Sequence, residues 1–272
     1  MDCVIVSPHV DDAFLSLGGL LSKKQFGTAL VLNLFSQSKY AKPRYGDSVK
    51  EIGKERRREE LINAAAVGCA VEFSGLPEAG LRGYQIGADG KIWGDNPSRR
   101  DIEVAIEAER RILDRIRDAK DVFFPLAIGR HVDHMIVSKI GIETATRKNS
   151  GLNFHFYEDM PYAIHSPSRA GYLDIGLSGH QMHPKMLRFN PVTKFRLCSN
   201  YISQFNQYDA LRIVLYGKQM RVLGGFNERI WSVNDYEYLG ALATKEPIIN
   251  GAVREIRDKH QYSRLTAKGH EN

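Results

Sequence analysis

Residues 3–12 read Cys3-Val4-Ile5-Val6-Ser7-Pro8-His9-Val10-Asp11-Asp12, and they open with four consecutive apolar residues, three of them β-branched. A short apolar run without polar alternation is the pattern of a strand covered on both faces, as in a parallel sheet. Ser7-Pro8 closes the strand. A helix is expected from Asp12 to Lys23, with Phe14, Leu15, Leu17, Leu20 and Leu21 as its apolar residues. A second strand follows at Ala29 to Phe35, then a loop over 36–48. A long helix is read from Val49 to Val67, with Gly68 as its stop. Val71-Glu72-Phe73 reads as a third strand, and the Gly-rich stretch 75–100 as irregular chain. Next come a helix over Ile102 to Ala119, a buried strand over Asp121 to Leu126, a helix from His131 to about Thr146, and a strand over Leu152 to Tyr157. Strand and helix thus alternate from residue 3 to about 157. The fold class this implies is α/β: a Rossmann-like, doubly wound, mostly parallel sheet flanked by helices. Residues 1–163 form the expected core. Residues 164–272 form a less regular C-terminal extension packed on it as one structural unit. One long helix is expected there, from Lys194 to Tyr216, and the polar tail after Tyr262 is expected to fray.

Composition narrows the function. Hydrophobic residues make up 43% of the chain and charged residues 26%, enough apolar material for a substantial core. The net charge of +6 raises the question of nucleic acid. The cations are scattered, however, and the densest cluster, Lys54-Glu55-Arg56-Arg57-Arg58-Glu59-Glu60, alternates with acids in the manner of a solvated helix face. No nucleic-acid partner is expected. Cys3, Cys69 and Cys198 are odd in number and far apart, which fits neither a disulfide framework nor a thiolate metal site. Asp2 occupies the place of a basic leader region, and no stretch reaches the ~20 apolar residues of a membrane span. A soluble, cytoplasmic protein is expected, and oligomeric state is not legible.

The residues with chemistry gather at one place. In open α/β sheets, ligands bind beyond the carboxyl ends of the strands. His9, Asp11 and Asp12 follow the first strand, and His131, Asp133 and His134 follow the strand 121–126. Each piece also has an ordinary use: an Asp-Asp pair caps helices, and single histidines are common. The topology makes the combination informative, because it brings both segments to the same sheet edge. Zinc accepts imidazole nitrogen and carboxylate oxygen, and a catalytic site uses three protein ligands and leaves one position open. His9, Asp12 and His134 make a two-His, one-Asp set of that kind. Asp11 and His131 are left beside it to handle protons.

At these residues the sequence resembles the PIG-L/LmbE-like family of zinc-dependent N-deacetylases. The resemblance lies in Ser7-Pro8-His9-Val10-Asp11-Asp12-Ala13 and in Gly129-Arg130-His131-Val132-Asp133-His134. Softer likenesses are Arg56-Arg57-Arg58-Glu59-Glu60, Leu76-Pro77-Glu78 before Leu81-Arg82-Gly83-Tyr84, and Tyr157-Glu158-Asp159-Met160-Pro161-Tyr162. They extend over roughly residues 3–163, with a possible continuation through Lys194 and Tyr201-Ile202-Ser203-Gln204. Val10 and Ala13 depart from the family pattern, which often has Pro and Glu there. The resemblance implies a Zn2+ cofactor, or another divalent metal, on His9, Asp12 and His134. It implies Asp11 as general base, His131 in protonated form as stabiliser of the oxyanion, and Asp133 as the partner that orients His131. It implies removal of an acetyl group from an N-acetylated sugar such as an N-acetylglucosamine conjugate. Arg56, Arg82, Tyr84 and Glu158 are the substrate contacts it suggests. The competing readings are a metal-dependent amidase acting on a non-sugar amide, and a non-catalytic Rossmann-like binder of sugars or nucleotides. The nucleotide reading lacks a Gly-rich phosphate turn after the first strand.

Overall fold

The computed structural model describes residues 1–84, 99–146, 151–165, 182–219 and 225–233. The part of the irregular stretch between 85 and 98, and the tail after Tyr262, lie outside these residues. Strands β1 (Cys3–Ser7), β2 (Ala29–Asn33), β3 (Ala70–Phe73), β4 (Asp121–Pro125) and β5 (Asn153–Tyr157) run parallel. β1 is buried at every residue, as its unbroken apolar run requires. Two further strands, β6 (Met182–Arg188) and β7 (Asn227–Val233), extend the sheet antiparallel beyond β5. The order is β3-β2-β1-β4-β5-β7-β6. The chain builds outward from β1 to β3, then returns to the other side of β1 to place β4. The switch point of the sheet is therefore the β1/β4 crevice, where a doubly wound fold binds its ligand.

The helices are α1 (Asp12–Ser22), α2 (Val49–Val67), α3 (Arg99–Ile116), α4 (Val132–Thr146), the single turn α5 (Tyr162–His165), α6 (Pro191–Ser199) and α7 (Gln207–Gln219). Ser48 caps α2 by accepting from the Glu51 N–H, and Gly68 ends it in the left-handed conformation its missing Cβ permits (φ 79). α1 is interrupted at Leu17 (φ −121). Just beyond the interruption, the Gly19 and Leu20 N–H groups donate to Glu228 of β7 at 2.7 and 2.8 Å. Lys194 of α6 pairs with the same carboxylate and also donates to the Phe14 carbonyl. A Cβ on Gly19 would lie 2.3 Å from the Phe189 Cβ, so only glycine permits this approach.

Two expectations are corrected. The helix read over Lys194 to Tyr216 is two helices, α6 and α7, separated by a loop at 200–206. The loop wins because its polar side chains have partners that a continuous helix would deny them: Tyr201 donates to Glu60 and Ser203 to Glu59. The C-terminal extension also supplies two sheet strands, β6 and β7, that the sequence pattern did not reveal.

Candidate active site

The turn after β1 is tightly wound. Ser7 Oγ donates to the His9 carbonyl at 2.7 Å and accepts from the Ala13 N–H at 3.1 Å. The His9 N–H donates to Asp12 Oδ2 at 2.8 Å. Asp11 sits between them at φ 149, a conformation that L-residues avoid. Such strain persists only where the surroundings enforce it, and it concentrates at functional positions. After β4, the backbone passes through positive φ at Ala127 (61), Gly129 (87) and Arg130 (57) before α4 begins. This turn sets His131 just before α4 and His134 in its first turn.

Across the β1/β4 crevice the two segments meet. His134 Nε2 lies 3.1 Å from Asp12 Oδ2 and 3.3 Å from His9 Nδ1, and His9 Nδ1 lies 3.4 Å from the same Asp12 oxygen. Zinc–ligand bonds of about 2.0–2.1 Å at a tetrahedral angle separate two ligand atoms by about 3.3 Å. The triangle therefore has the size of three corners of a zinc tetrahedron. A wider set, His9, His131 and His134, also keeps its ligand atoms within 4.8 Å of one another. The mixed triangle fits better, because its spacing matches the metal and both of its imidazoles are backed by buried carboxylates. His9 Nε2 is 2.8 Å from Asp133 Oδ2, and His134 Nδ1 is 2.5 Å from Asp159 Oδ1. Metal-binding histidines are oriented by such partners.

The electrostatics favour a cation here. Burial works against it, yet Asp12 and Asp159 raise His134 to about 9. Asp12 is buried too, but His134 and His9 hold its carboxyl far below the usual range. A divalent ion would replace these protons on the same atoms. Burial and the adjacent Asp12 push Asp11 well above the ordinary carboxyl range, with Arg56 opposing. Asp11 is thus held closer to neutrality than an exposed aspartate, as suits a group that exchanges protons.

The resemblance implies a protonated His131 partnered by Asp133. The His131 Nδ1 accepts from the Asp133 N–H at 3.2 Å, and burial together with the His9 charge lowers it to about 3. An imidazole that accepts at Nδ1 and stays neutral carries its proton on Nε2. Asp133 meets it through the backbone N–H and not the carboxylate, which stands 4.0 Å from His131 Nδ1 and accepts from His9 and from the Ala79 N–H. Arg82 pairs with Asp133 at 2.7 Å and donates to Asp101 at 2.8 Å.

A cleft of about 330 Å3 opens over this centre, a size suited to a small molecule. Asp11, Arg56, His131, Tyr162, Gln204 and Phe205 are among its walls. Of the four suggested substrate contacts, Arg56 lines the cleft, while donating to Glu78 at 2.5 Å. The other three do not. Arg82 is spent on Asp133 and Asp101, the Tyr84 hydroxyl donates to Asp101 at 2.6 Å, and Glu158 accepts from Tyr216 and Arg229 on the β7 side. The carboxylate that β5 delivers to the centre is the next one, Asp159, since successive residues leaving a strand point to opposite sides. Its signal in the sequence is an acid at the carboxyl end of a third parallel strand. Gln204 carried a softer signal, as the end of the family-like segment Tyr201-Ile202-Ser203-Gln204, but nothing placed it at the cleft, because the loop that presents it interrupts what reads as helix.

A doubly wound sheet with an imidazole–carboxylate centre at its switch point defines the class of protein. Residues 4–145, just over half of the chain, match the family model described as PIG-L: GlcNAc-PI de-N-acetylase, and the chain belongs to the PIG-L family. It is 36% identical over 166 residues to a 2'-N-acetylparomamine deacetylase of Streptomyces fradiae, a match covering 59% of this chain and 57% of that relative. In three dimensions it is similar to a deacetylase of teicoplanin biosynthesis, with a TM-score of 0.66 at 22% identity over 86% of this chain and 98% of that one. It is also similar to an N,N'-diacetylchitobiose deacetylase of Pyrococcus horikoshii, with a TM-score of 0.55 at 16% identity over 86% and 84% of the two chains. A 4-carboxy-2-hydroxymuconate hydratase of Pseudomonas putida shares the fold as well, with a TM-score of 0.52 at 16% identity over 86% and 95%. The fold alone therefore does not select the reaction.

Proposed function

We propose that the chain is a zinc-dependent N-deacetylase that hydrolyses the acetamide of an N-acetylated amino sugar. The observation that carries this reading is the zinc-sized triangle of His9, Asp12 and His134 with the strained, buried Asp11 beside it. The sugar rests on the family and on the paromamine-acting relative.

When bound, the ion would supply Lewis acidity toward the attacking water and the acetyl carbonyl. The protein's residues do the rest. Asp11 takes a proton from the water as its oxygen bonds to the carbonyl carbon. The N–H on His131 Nε2 donates to the carbonyl oxygen as that oxygen gains charge, a neutral donor held in place by the Asp133 backbone. Asp11 then returns its proton to the nitrogen as the C–N bond breaks, giving acetate and the free amine. Positioned proton transfer of this kind contributes about 10²–10⁴-fold. Asp133 and Asp159 hold the two metal-binding imidazoles in the tautomers that leave His9 Nδ1 and His134 Nε2 free.

The test is elemental analysis of the purified chain together with amine release from a panel of N-acetylated amino sugars, with and without chelator. One zinc per chain and chelator-sensitive amine release are expected. Asp11→Asn should keep the metal and lose about 10²-fold or more of turnover. Undiminished turnover in that variant removes Asp11 as the base, and a zinc-loaded chain that releases no amine from any of these sugars removes the deacetylase reading.

A further inference from the structure

The wall of the cleft opposite the metal triangle comes from outside the family-matched span, from the loop between α6 and α7. Gln204 Nε2 donates to Asp11 Oδ2 at 2.7 Å. Arg56 Nη2 approaches the same oxygen at 3.6 Å. Among the described residues no donor engages the other oxygen, Oδ1.

The loop that carries Gln204 is clamped from both sides. On one side stands the buried polar face of α2. Glu59 accepts from both the N–H and the hydroxyl of Ser203 at 2.7 Å, Glu60 accepts from the Tyr201 hydroxyl at 2.5 Å, and Asn63 accepts from Asn200 Nδ2 at 2.7 Å. On the other side, the Lys42 N–H donates to the Ser203 carbonyl at 2.7 Å, and Lys42 Nζ donates to the carbonyls of Ile202 and Phe205 at 3.0 and 2.5 Å. A freely moving loop needs none of these bonds. With backbone and side chains fixed at 200–203 and at 205, the amide at 204 is aimed rather than merely near.

We propose that Gln204 is the positioning residue of Asp11. Its amide fixes the rotation of the carboxylate so that Oδ2 is occupied and Oδ1 faces the proton to be moved. This rests on the deacetylase reading above. An aspartate has two oxygens and a rotatable χ2, and at a strained backbone position its side chain needs an external restraint to hold one orientation. Glutamine suits the task because it donates without adding a charge to a site already crowded with acids.

Two measurements on the zinc-loaded full chain decide it. First, Gln204→Ala is expected to keep its zinc content and melting temperature, to hold KM within about twofold, and to lose about 10- to 100-fold in kcat, the cost of a misplaced reacting group. Gln204→Glu, similar in shape but with no N–H donor and bearing an acid, should fall at least as far. Unchanged kcat in Gln204→Ala, or a rise in KM alone, overturns the proposal; the latter would make Gln204 a substrate contact. Second, a crystal structure of zinc-loaded Gln204→Ala should show the Asp11 carboxylate turned away from its original orientation or split between orientations. A single unchanged orientation overturns the proposal whatever the activity. If the unaltered chain releases no amine, the deacetylase reading fails by itself, and the Asp11 orientation still judges Gln204.

Discussion

His134 and Asp159 are joined at 2.5 Å on the side of the imidazole facing away from the metal triangle, and Asp159 Oδ2 also accepts from the Ile128 N–H at 3.0 Å. One carboxylate therefore sets both the tautomer of His134, a proposed metal ligand, and the path of the turn leading to it. An amide has only one acceptor oxygen for these two donors. Asp159→Asn is expected to weaken zinc binding by about 10- to 100-fold, read by competition with a chelator of known affinity. Unchanged affinity would show that His134 needs no partner.

If the chain holds the proposed zinc, its removal is expected to destabilise the fold. Asp12 is a corner of the triangle, Asp11 adjoins it, Asp133 and Asp159 contact its two imidazoles, and all four are buried. An ion that binds only the native chain stabilises it by about 4 kcal/mol at a thousandfold excess over its dissociation constant. Chelator-treated protein is expected to melt lower, and added zinc to restore the midpoint. Identical melting curves with and without zinc would contradict this.

Arg82 is expected to matter for stability more than for substrate affinity. It is buried, and it pairs with Asp133 at 2.7 Å and Asp101 at 2.8 Å. Arg82→Met leaves two buried carboxylates without their cation, a change that costs about 3–5 kcal/mol. Denaturant unfolding should show that loss. A cost below about 1 kcal/mol would place Arg82 among ordinary surface pairs.

Glu60 supplies a pH signature. Burial pushes it up to about 7 from an ordinary 4.5, although Tyr201 and Asn33 donate to it and pull the other way. The folded state thus binds this proton more tightly than the unfolded state does. Its contribution to stability is full below about 4.5 and is lost as pH rises through about 7. Glu60→Gln is expected to remove that loss, so the variant should gain on the unaltered chain between pH 5 and 8, by at most about 3 kcal/mol. Parallel stability–pH curves for the two chains, at equal metal loading, would refute it.

The core and the turn that carries His9 and Asp12 were legible because the physics that makes them is local. β1 announces itself by Val4-Ile5-Val6, and His9 and Asp12 follow within one turn. β7 reads Asn227-Glu228-Arg229-Ile230-Trp231-Ser232-Val233 and carries charges whose partners are distant in sequence: Lys194 for Glu228, Glu158 for Arg229. Nothing nearby says that those charges are buried. The break between α6 and α7 did leave a local mark. Asn206 accepts from the N–H groups of Tyr208 and Asp209, and Asp209 accepts from the Asn206 N–H, so Asn-x-x-Asp starts a new helix. The lowered pKa of His131 is different in kind, since it depends on burial and on the His9 charge beside it, and His9 lies far away in the sequence.

The loop at 200–206 divides its labour residue by residue. Tyr201 and Ser203 are bolted to Glu60 and Glu59, while Gln204 and Phe205 look into the cleft. Phe205 is fastened through its backbone alone, its N–H donating to the Tyr201 carbonyl at 2.9 Å and its carbonyl accepting from Lys42, while its ring packs on the core and lines the cleft. The loop is thus a fixed plate: Glu59, Glu60 and Lys42 hold it against the body of the protein, and the side chains at 204 and 205 are what it presents to the cleft.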